Sequence, residues 1–248
     1  MRNIKLTLAY DGTDFAGWQV QPASSTIQGT LASAIGRITG EKVLAQGSGR
    51  TDAGVHALAQ VANFQTESVI PEGNLLIALN DILPPSIQIL AAEEVAPDFH
   101  ARKSARAKSY RYRIYREAIC PPFRARYVWH YPYPLNEQAM SEAAPRVEGK
   151  HDFTSFAAVD AERDREEISN VRDVFSSQWG RESSELVYEV RGSGFLHHMV
   201  RNLVGTFLLV GKGTLKPPDV TAIIEAKKRS VAGATAPASG LYLANVEY

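Results

Sequence analysis

Cysteine is almost absent from this chain. Cys120 is the only one in 248 residues, which excludes an internal disulfide and any zinc site built on cysteine pairs. No run of 18 apolar residues occurs, so no helical membrane span is expected. There is no Asn-x-Ser/Thr acceptor, no repeat with a period of 20–50 residues and no low-complexity tract. The start, Met1-Arg2-Asn3-Ile4-Lys5-Leu6, alternates as a strand does and lacks a signal-peptide apolar block. These absences lead to the expectation of a soluble cytoplasmic protein.

Net charge is missing as well. Lys+Arg and Asp+Glu number 27 each, unlike the basic balance usual for a nucleic-acid binder. The charge is unevenly placed, however. Residues 1–100 hold 5 basic against 10 acidic side chains, which leaves 22 against 17 in residues 101–248. Within 99–116 stand seven basic residues and no acid: Arg102, Lys103, Arg106, Lys108, Arg111, Arg113 and Arg116. Salt screens charges beyond about 8–10 Å, so a phosphate meets this local cluster rather than the neutral whole. Charges that guard a solvated strand edge are the other reading.

Hydrophobic residues make up 44% of the chain, which suffices for a real core in one large domain or two small ones. Ile4, Leu6, Leu8 and Tyr10 alternate as a half-buried strand. Ile27, Leu31, Ile35 and Ile38 follow helical spacing, with Ser25 or Thr26 to cap the helix and Gly40 to end it. A strand over Ala59–Phe64, a helix from Pro71 to Leu83 and a strand from Ser86 to Val95 follow. Strands and helices alternate through residue 100, which argues a sheet covered by helices. Ser109 to Arg116 reads as a strand with Tyr110, Tyr112 and Ile114 on one face and Arg111, Arg113 and Tyr115 on the other. Cations interleaved with tyrosines suit RNA, through phosphates and stacked bases; tyrosines packed in a core are the plainer reading, and the one preferred for Tyr112. Pro145 should shorten the helix begun at Asn136. The charged run between Asp160 and Asp173 reads as a solvated loop. Strands are expected at 171–177 and 185–190, and an apolar helix through Val210 contains Arg201, which needs a partner or a wet face.

Several side-chain pairs invite chemistry and are better read as structure. Asp11 and Asp14 lie in a loop of turn formers, and Asp152 beside His151 reads as a turn. His197 and His198 are adjacent and point roughly 100° apart on a helix, which makes a poor metal pair. Gly211-Lys212-Gly213-Thr214 imitates a phosphate loop, but position 206 is Thr and Gly213 follows the lysine. A helix stop fits it better.

One stretch differs. Gln46-Gly47-Ser48-Gly49-Arg50-Thr51-Asp52-Ala53-Gly54-Val55-His56-Ala57 sets one carboxylate and one guanidinium among three glycines, on a loop shaped for close approach. An Asx-turn is the ordinary use of such an aspartate. Gly-Arg-Thr-Asp-Ala-Gly-Val-His-Ala, however, resembles the active-site signature of the TruA-type tRNA pseudouridine synthases, whose catalytic aspartate matches Asp52. Four more blocks are similar to that family, in the same order: Leu8 to Gln19 with Thr26-Ile27-Gln28, Gly149 to Phe156, Gly192 to Asn202, and Ala236 to Leu243. Ala59 stands where the family often has glycine.

The resemblance implies an α/β (α+β) fold of two RRM-like, ferredoxin-like halves, with mainly antiparallel sheets joined across a central cleft. Residues 1–104 would carry the aspartate loop and residues 105–248 the second half. It implies a tRNA pseudouridine synthase acting on uridines 38, 39 and 40 of the anticodon stem-loop, and a homodimer that binds one tRNA across both subunits. It implies no cofactor and no metal. Asp52, Tyr110 and Arg201 would be catalytic. Arg50 would fill the space of a flipped base, Tyr110 would stack on it, and Leu241 would wall its pocket. Arg102, Arg106 and Arg111 are the phosphate contacts expected from the basic strand. Arg201 among apolar neighbours and a carboxylate that must stay ionised lead to the expectation of a direct Asp52–Arg201 ion pair at the cleft floor, with Tyr110 beside it. A non-catalytic RNA-binding protein would share the basic strand without needing a shaped carboxylate. A glycoside hydrolase would want two carboxylates across the bond.

Overall fold

Ile4, Leu6, Leu8 and Tyr10 of β1 (Arg2–Tyr10) are all buried, as alternation requires of a strand with one face against a core. The computed structural model describes residues 1–158 and 169–248. The charged residues Asp160 to Glu167 therefore lie outside the described residues. Two units make up the described chain, residues 1–106 with 242–248 and residues 107–241.

In the first unit, β1 leads to α1 (Ile27–Thr39). Thr26 caps it by accepting the Gly29 N–H at 3.2 Å, and Gly40 ends it in the left-handed region at φ 74°. β2 (Gln46–Gly47) and β3 (His56–Thr66) form a hairpin whose loop is the stretch around Asp52. α2 (Glu72–Ile82) and β4 (Ile87–Val95) complete the series. β1 pairs antiparallel with both β3 and β4, and β2 pairs antiparallel with β3. The order β4-β1-β3-β2 with two crossover helices is the ferredoxin-like arrangement. Ile27, Leu31 and Ile35 of α1 and Leu75 and Leu79 of α2 are buried.

The second unit opens with β5 (Ala107–Tyr115), followed by the short α3 (Pro122–Ala125) and β6 (Trp129–His130). α4 (Glu137–Ala143) gives way to a 3₁₀ turn at Ala144–Val147, where Pro145 cannot continue the ladder. β7 (Gly149–Asp152), β8 (Val171–Glu182) and β9 (Glu185–Gly192) form an antiparallel sheet with β5 in the order β5-β9-β8-β7. α5 (Met199–Gly211) and α6 (Asp219–Ala226) follow. Tyr188 packs on Trp179 and on Phe207 of α5, with ring centroids 5.0 and 5.3 Å apart. Tyr112 is fully buried, as the core reading of that strand face has it. Gly213, at φ 75°, stops α5. Asp152 accepts the Thr154 N–H at 3.0 Å and the Thr154 hydroxyl at 2.6 Å. Those bonds hold its carboxyl below the usual range, the hydroxyl bond most strongly, and its role is that of a turn.

The last strand, β10 (Leu241–Glu247), returns to the first unit and runs parallel to β3, with Tyr242 opposite His56 and Leu243 opposite Ala57. The mixed α/β class with mainly antiparallel sheets is the one the sequence implies.

Carboxylates of β9 explain part of the basic strand. Arg111 donates to Glu189 at 2.7 and 3.1 Å. Arg113 grips Glu185 with two bonds, at 2.6 and 2.9 Å, and Arg124 approaches the same carboxylate at 3.4 Å. Glu185 is 3% exposed, so these partners take the place of water around its carboxylate. Removing one partner of a buried pair leaves an uncompensated charge, whereas replacing both with apolar groups is often neutral. Arg113→Met should therefore cost about 3 kcal/mol in urea unfolding, and adding Glu185→Leu should recover most of it. A loss below about 1 kcal/mol in the single variant would mean that Arg124 alone satisfies Glu185.

Candidate active site

The hairpin loop between β2 and β3 is fixed from beneath by one glutamine. Gln60 on β3 is fully buried. Its Oε1 accepts from the Ser48 hydroxyl at 2.6 Å, and its Nε2 donates to the Gly49 carbonyl at 2.9 Å. The Ser48 N–H adds a bond to the Val61 carbonyl at 2.7 Å. Tyr10, at the end of β1, places its hydroxyl 2.8 Å from the Thr51 hydroxyl and 3.5 Å from Gln60 Nε2. Burial pushes the Tyr10 phenol up to about 12, against the opposite pull of its bonds to Thr51 and Gln60. It stays neutral at physiological pH and serves as a hydrogen-bond post. Four buried polar side chains thus define the path of the loop one residue before Asp52.

A second segment clasps the loop from the other side. Residues 11–18 run against 51–55 backbone to backbone. The Trp18 N–H donates to the Thr51 carbonyl at 3.0 Å, and the Gly54 N–H to the Phe15 carbonyl at 3.3 Å. The Gly12 N–H donates to His56 Nδ1 at 3.1 Å. Gly12 and Gly17 are required here. A Cβ on Gly17, whose φ is 92°, would lie 2.5 Å from the Thr51 carbonyl oxygen, and one on Gly12 would overlap the Val55 carbonyl. Asp11 accepts from the Thr13 N–H at 3.0 Å and from its hydroxyl at 2.5 Å, so it is the turn former its context suggests. Val55 closes a tight turn on the Asp52 carbonyl at 3.1 Å. The result is a half-buried Asp52 at the tip of a loop whose backbone is held on two sides. Arg50, two residues earlier on that loop, is exposed.

Arg102, in a turn, and Arg106, just before β5, are exposed in the first unit. The remaining candidates belong to the second unit. Tyr110 on β5 is 9% exposed, and the Phe195 ring meets it edge-on with centroids 5.1 Å apart. Arg111 is committed to Glu189, as described above. Arg201 is half-buried near the start of α5, between buried Val200 and Asn202, and its Nε donates to the Ala236 carbonyl at 2.7 Å. Its charge also acts on Tyr112, whose phenol burial nonetheless pushes well up. The Tyr112 hydroxyl donates to the Pro237 carbonyl at 2.8 Å. Leu241 is buried at the head of β10. Each group can do limited chemistry. A carboxylate on a rigid loop can act as nucleophile or base. A guanidinium with Nε anchored presents its two Nη groups in a fixed plane.

Local sequence pattern does not single out the residues that position the loop. Gln60 sits within the strand over Ala59–Phe64, and Tyr10 ends the inward row of β1. A glutamine opposite buried apolar positions was the available signal, since a buried amide must find partners. Which partners it finds depends on strand pairing, which local pattern does not contain.

Known proteins match this chain closely. A family model described as tRNA pseudouridine synthase matches residues 7–102 and 143–248. The tRNA pseudouridine synthase A of Solibacter usitatus is 55% identical over 248 residues, covering 100% of both chains. That of Caldicellulosiruptor saccharolyticus is 46% identical over 248 residues, again covering 100% of both. That of Halalkalibacterium halodurans is 46% identical over 242 residues, which span 97% of this chain and 90% of the relative. With the aspartate loop inside the matched region and its relatives aligned from end to end, the chain belongs to the tRNA pseudouridine synthase family.

Proposed function

We propose that the protein converts uridine to pseudouridine at positions 38, 39 and 40 of the tRNA anticodon stem-loop, with Asp52 acting on the sugar of a flipped nucleotide. Family membership makes it an isomerase that acts on tRNA. The positions on the anticodon arm and the residue roles are our reading. The observation that carries it is the aspartate loop, a single carboxylate within Gly49–Ala57 on a backbone pinned by Gln60, Tyr10 and the 11–18 segment.

The reaction breaks the N1–C1′ bond, turns the base and joins C5 to C1′. C5 loses a proton and N1 gains one, so nothing is oxidised and no group is imported. No cofactor is assigned. A carboxylate can start the sequence as a nucleophile at C1′ or as the base that takes a sugar proton. The reacting carbon is hidden while the base is stacked, so the nucleotide must leave its helix. Arg50, exposed on the same loop, is suited to occupy the vacated space. Tyr110 offers a ring to the flipped base and a hydroxyl for the loss of the C5 proton, and Leu241 walls the base pocket. On this reading residues 1–104 carry the reacting carboxylate and residues 105–248 its helpers.

Arg201 is assigned as the partner of Asp52 in the working enzyme. A cation among apolar neighbours and a carboxylate closed under a base both lose water, and each offsets the other's cost. Lysine at 201 should fall short, because it lacks the planar fork that grips a carboxylate twice. Exposed Arg102 and Arg106 are the stronger phosphate contacts, since the charge of Arg111 is already offset by Glu189.

We read the protein as a cytoplasmic homodimer that holds one tRNA across two subunits, as the family resemblance implies. Among the described residues no helix is long and apolar enough to cross a membrane. Light scattering at working concentration should return the mass of two chains; the mass of one would remove the dimer from this reading.

The direct test of the chemistry is Asp52→Asn. The amide is neither base nor nucleophile, so pseudouridine formation should fall by at least about a thousandfold while tRNA affinity and thermal stability stay near the parent. Turnover within about tenfold of the parent would take Asp52 out of the catalytic role.

A further inference from the structure

Arg201 is held by a strap, and the strap is held by buried polar groups that the proposed chemistry does not use. Residues 232–237 press against α5, backbone to backbone where Gly205 meets Gly233 and Ala234. A Cβ on Gly205 would overlap the Ala234 carbonyl, and one on Gly233 would overlap the backbone of Gly205. Asn202, fully buried on α5 next to Arg201, organises the contact. Its Oδ1 accepts from the Thr235 hydroxyl at 2.7 Å and from Arg229 Nη2 at 2.9 Å, and its Nδ2 donates to the Phe156 carbonyl at 2.7 Å. Thr206, also fully buried, accepts the Gly233 N–H at 2.9 Å. One residue past Thr235, Ala236 meets Arg201 twice. Its N–H donates to the Arg201 carbonyl at 3.2 Å, and its carbonyl accepts from Arg201 Nε at 2.7 Å. The next carbonyl, of Pro237, takes the Tyr112 hydroxyl.

We propose that Asn202 and Thr235 are positioning residues for Arg201. The Thr235–Asn202 bond fixes the strap at the residue before Ala236, and the Ala236 carbonyl then fixes Nε. With Nε committed, the guanidinium plane has one orientation and its Nη edge one direction. An anion partner is met without the arginine searching its rotamers. Every polar atom of the Asn202 amide group named here is engaged by the strap, Arg229 or Phe156, so the amide cannot turn without losing buried hydrogen bonds. This inference rests on the reading of Arg201 as the partner of Asp52.

The test is steady-state kinetics on tRNA with Thr235→Val and Thr235→Ser, each in the parent and in an Arg201→Lys background. Thr235→Val removes the hydroxyl and should lower kcat about tenfold, with KM within about twofold, because the guanidinium loses its aim while the surface that binds the tRNA stays as it was. Thr235→Ser keeps the hydroxyl and should hold kcat within about twofold of the parent. In the Arg201→Lys background, where no Nε guanidinium remains to be aimed, Thr235→Val should cost less than about twofold more. Should Thr235→Val fail to fold, Thr235→Ala removes the same hydroxyl with less bulk. Equal losses for valine and serine, or the same tenfold loss in both backgrounds, would overturn the inference while leaving Arg201 in place. Parent-like kcat in Arg201→Lys alone would instead remove the Arg201 assignment, and the positioning role with it.

Discussion

The backbone contact between residues 11–18 and 51–55 is the constraint on which the site depends. Two chain segments approach more closely than side chains allow, and they can do so because positions 12 and 17 are glycine. Gln60 completes the constraint from inside, by holding Ser48 and the Gly49 carbonyl. A loop so held does not need large apolar side chains to keep its shape. Its aspartate is half-buried on a main chain held from two sides. The second unit repeats the device at α5, where Gly205 and Gly233 let the 232–237 strap lie on the helix and Asn202 pins it.

Charge is distributed on the same principle. Six of the seven basic residues between 99 and 116 divide by environment. Arg111, Arg113 and Arg116 pair with Glu189, Glu185 and Glu137. Arg102 and Lys103, in the preceding turn, and Arg106, just before β5, are exposed. A neutral chain can then still present a local cationic surface, because screening makes the nearest charges decide what a phosphate meets.

Much of this was legible from residues close in sequence. The Thr26 cap, the Gly40 stop and the break at Pro145 are local events and fall where the pattern puts them. The aspartate loop stood out because glycine spacing and charge lie within twelve residues. The return of β10 to β3, and the partners of Gln60 and Asn202, were not legible. Tyr242 meets His56 and Thr235 meets Asn202 only after the chain has folded. A buried amide announces that it needs partners and does not say which. For the same reason the strand at Ser109–Arg116 reads as one cationic face, although the carboxylates that offset Arg111 and Arg113 come from β9.

The isomerisation of anticodon-arm uridines by this loop is our proposal. It is tested most directly by mapping pseudouridine at single-nucleotide resolution in an unmodified tRNA transcript carrying uridines at 38, 39 and 40, after incubation with the purified protein alone. The account predicts pseudouridine at those positions and nowhere else on the transcript. A transcript left unmodified, or modified only outside the anticodon arm, would contradict it.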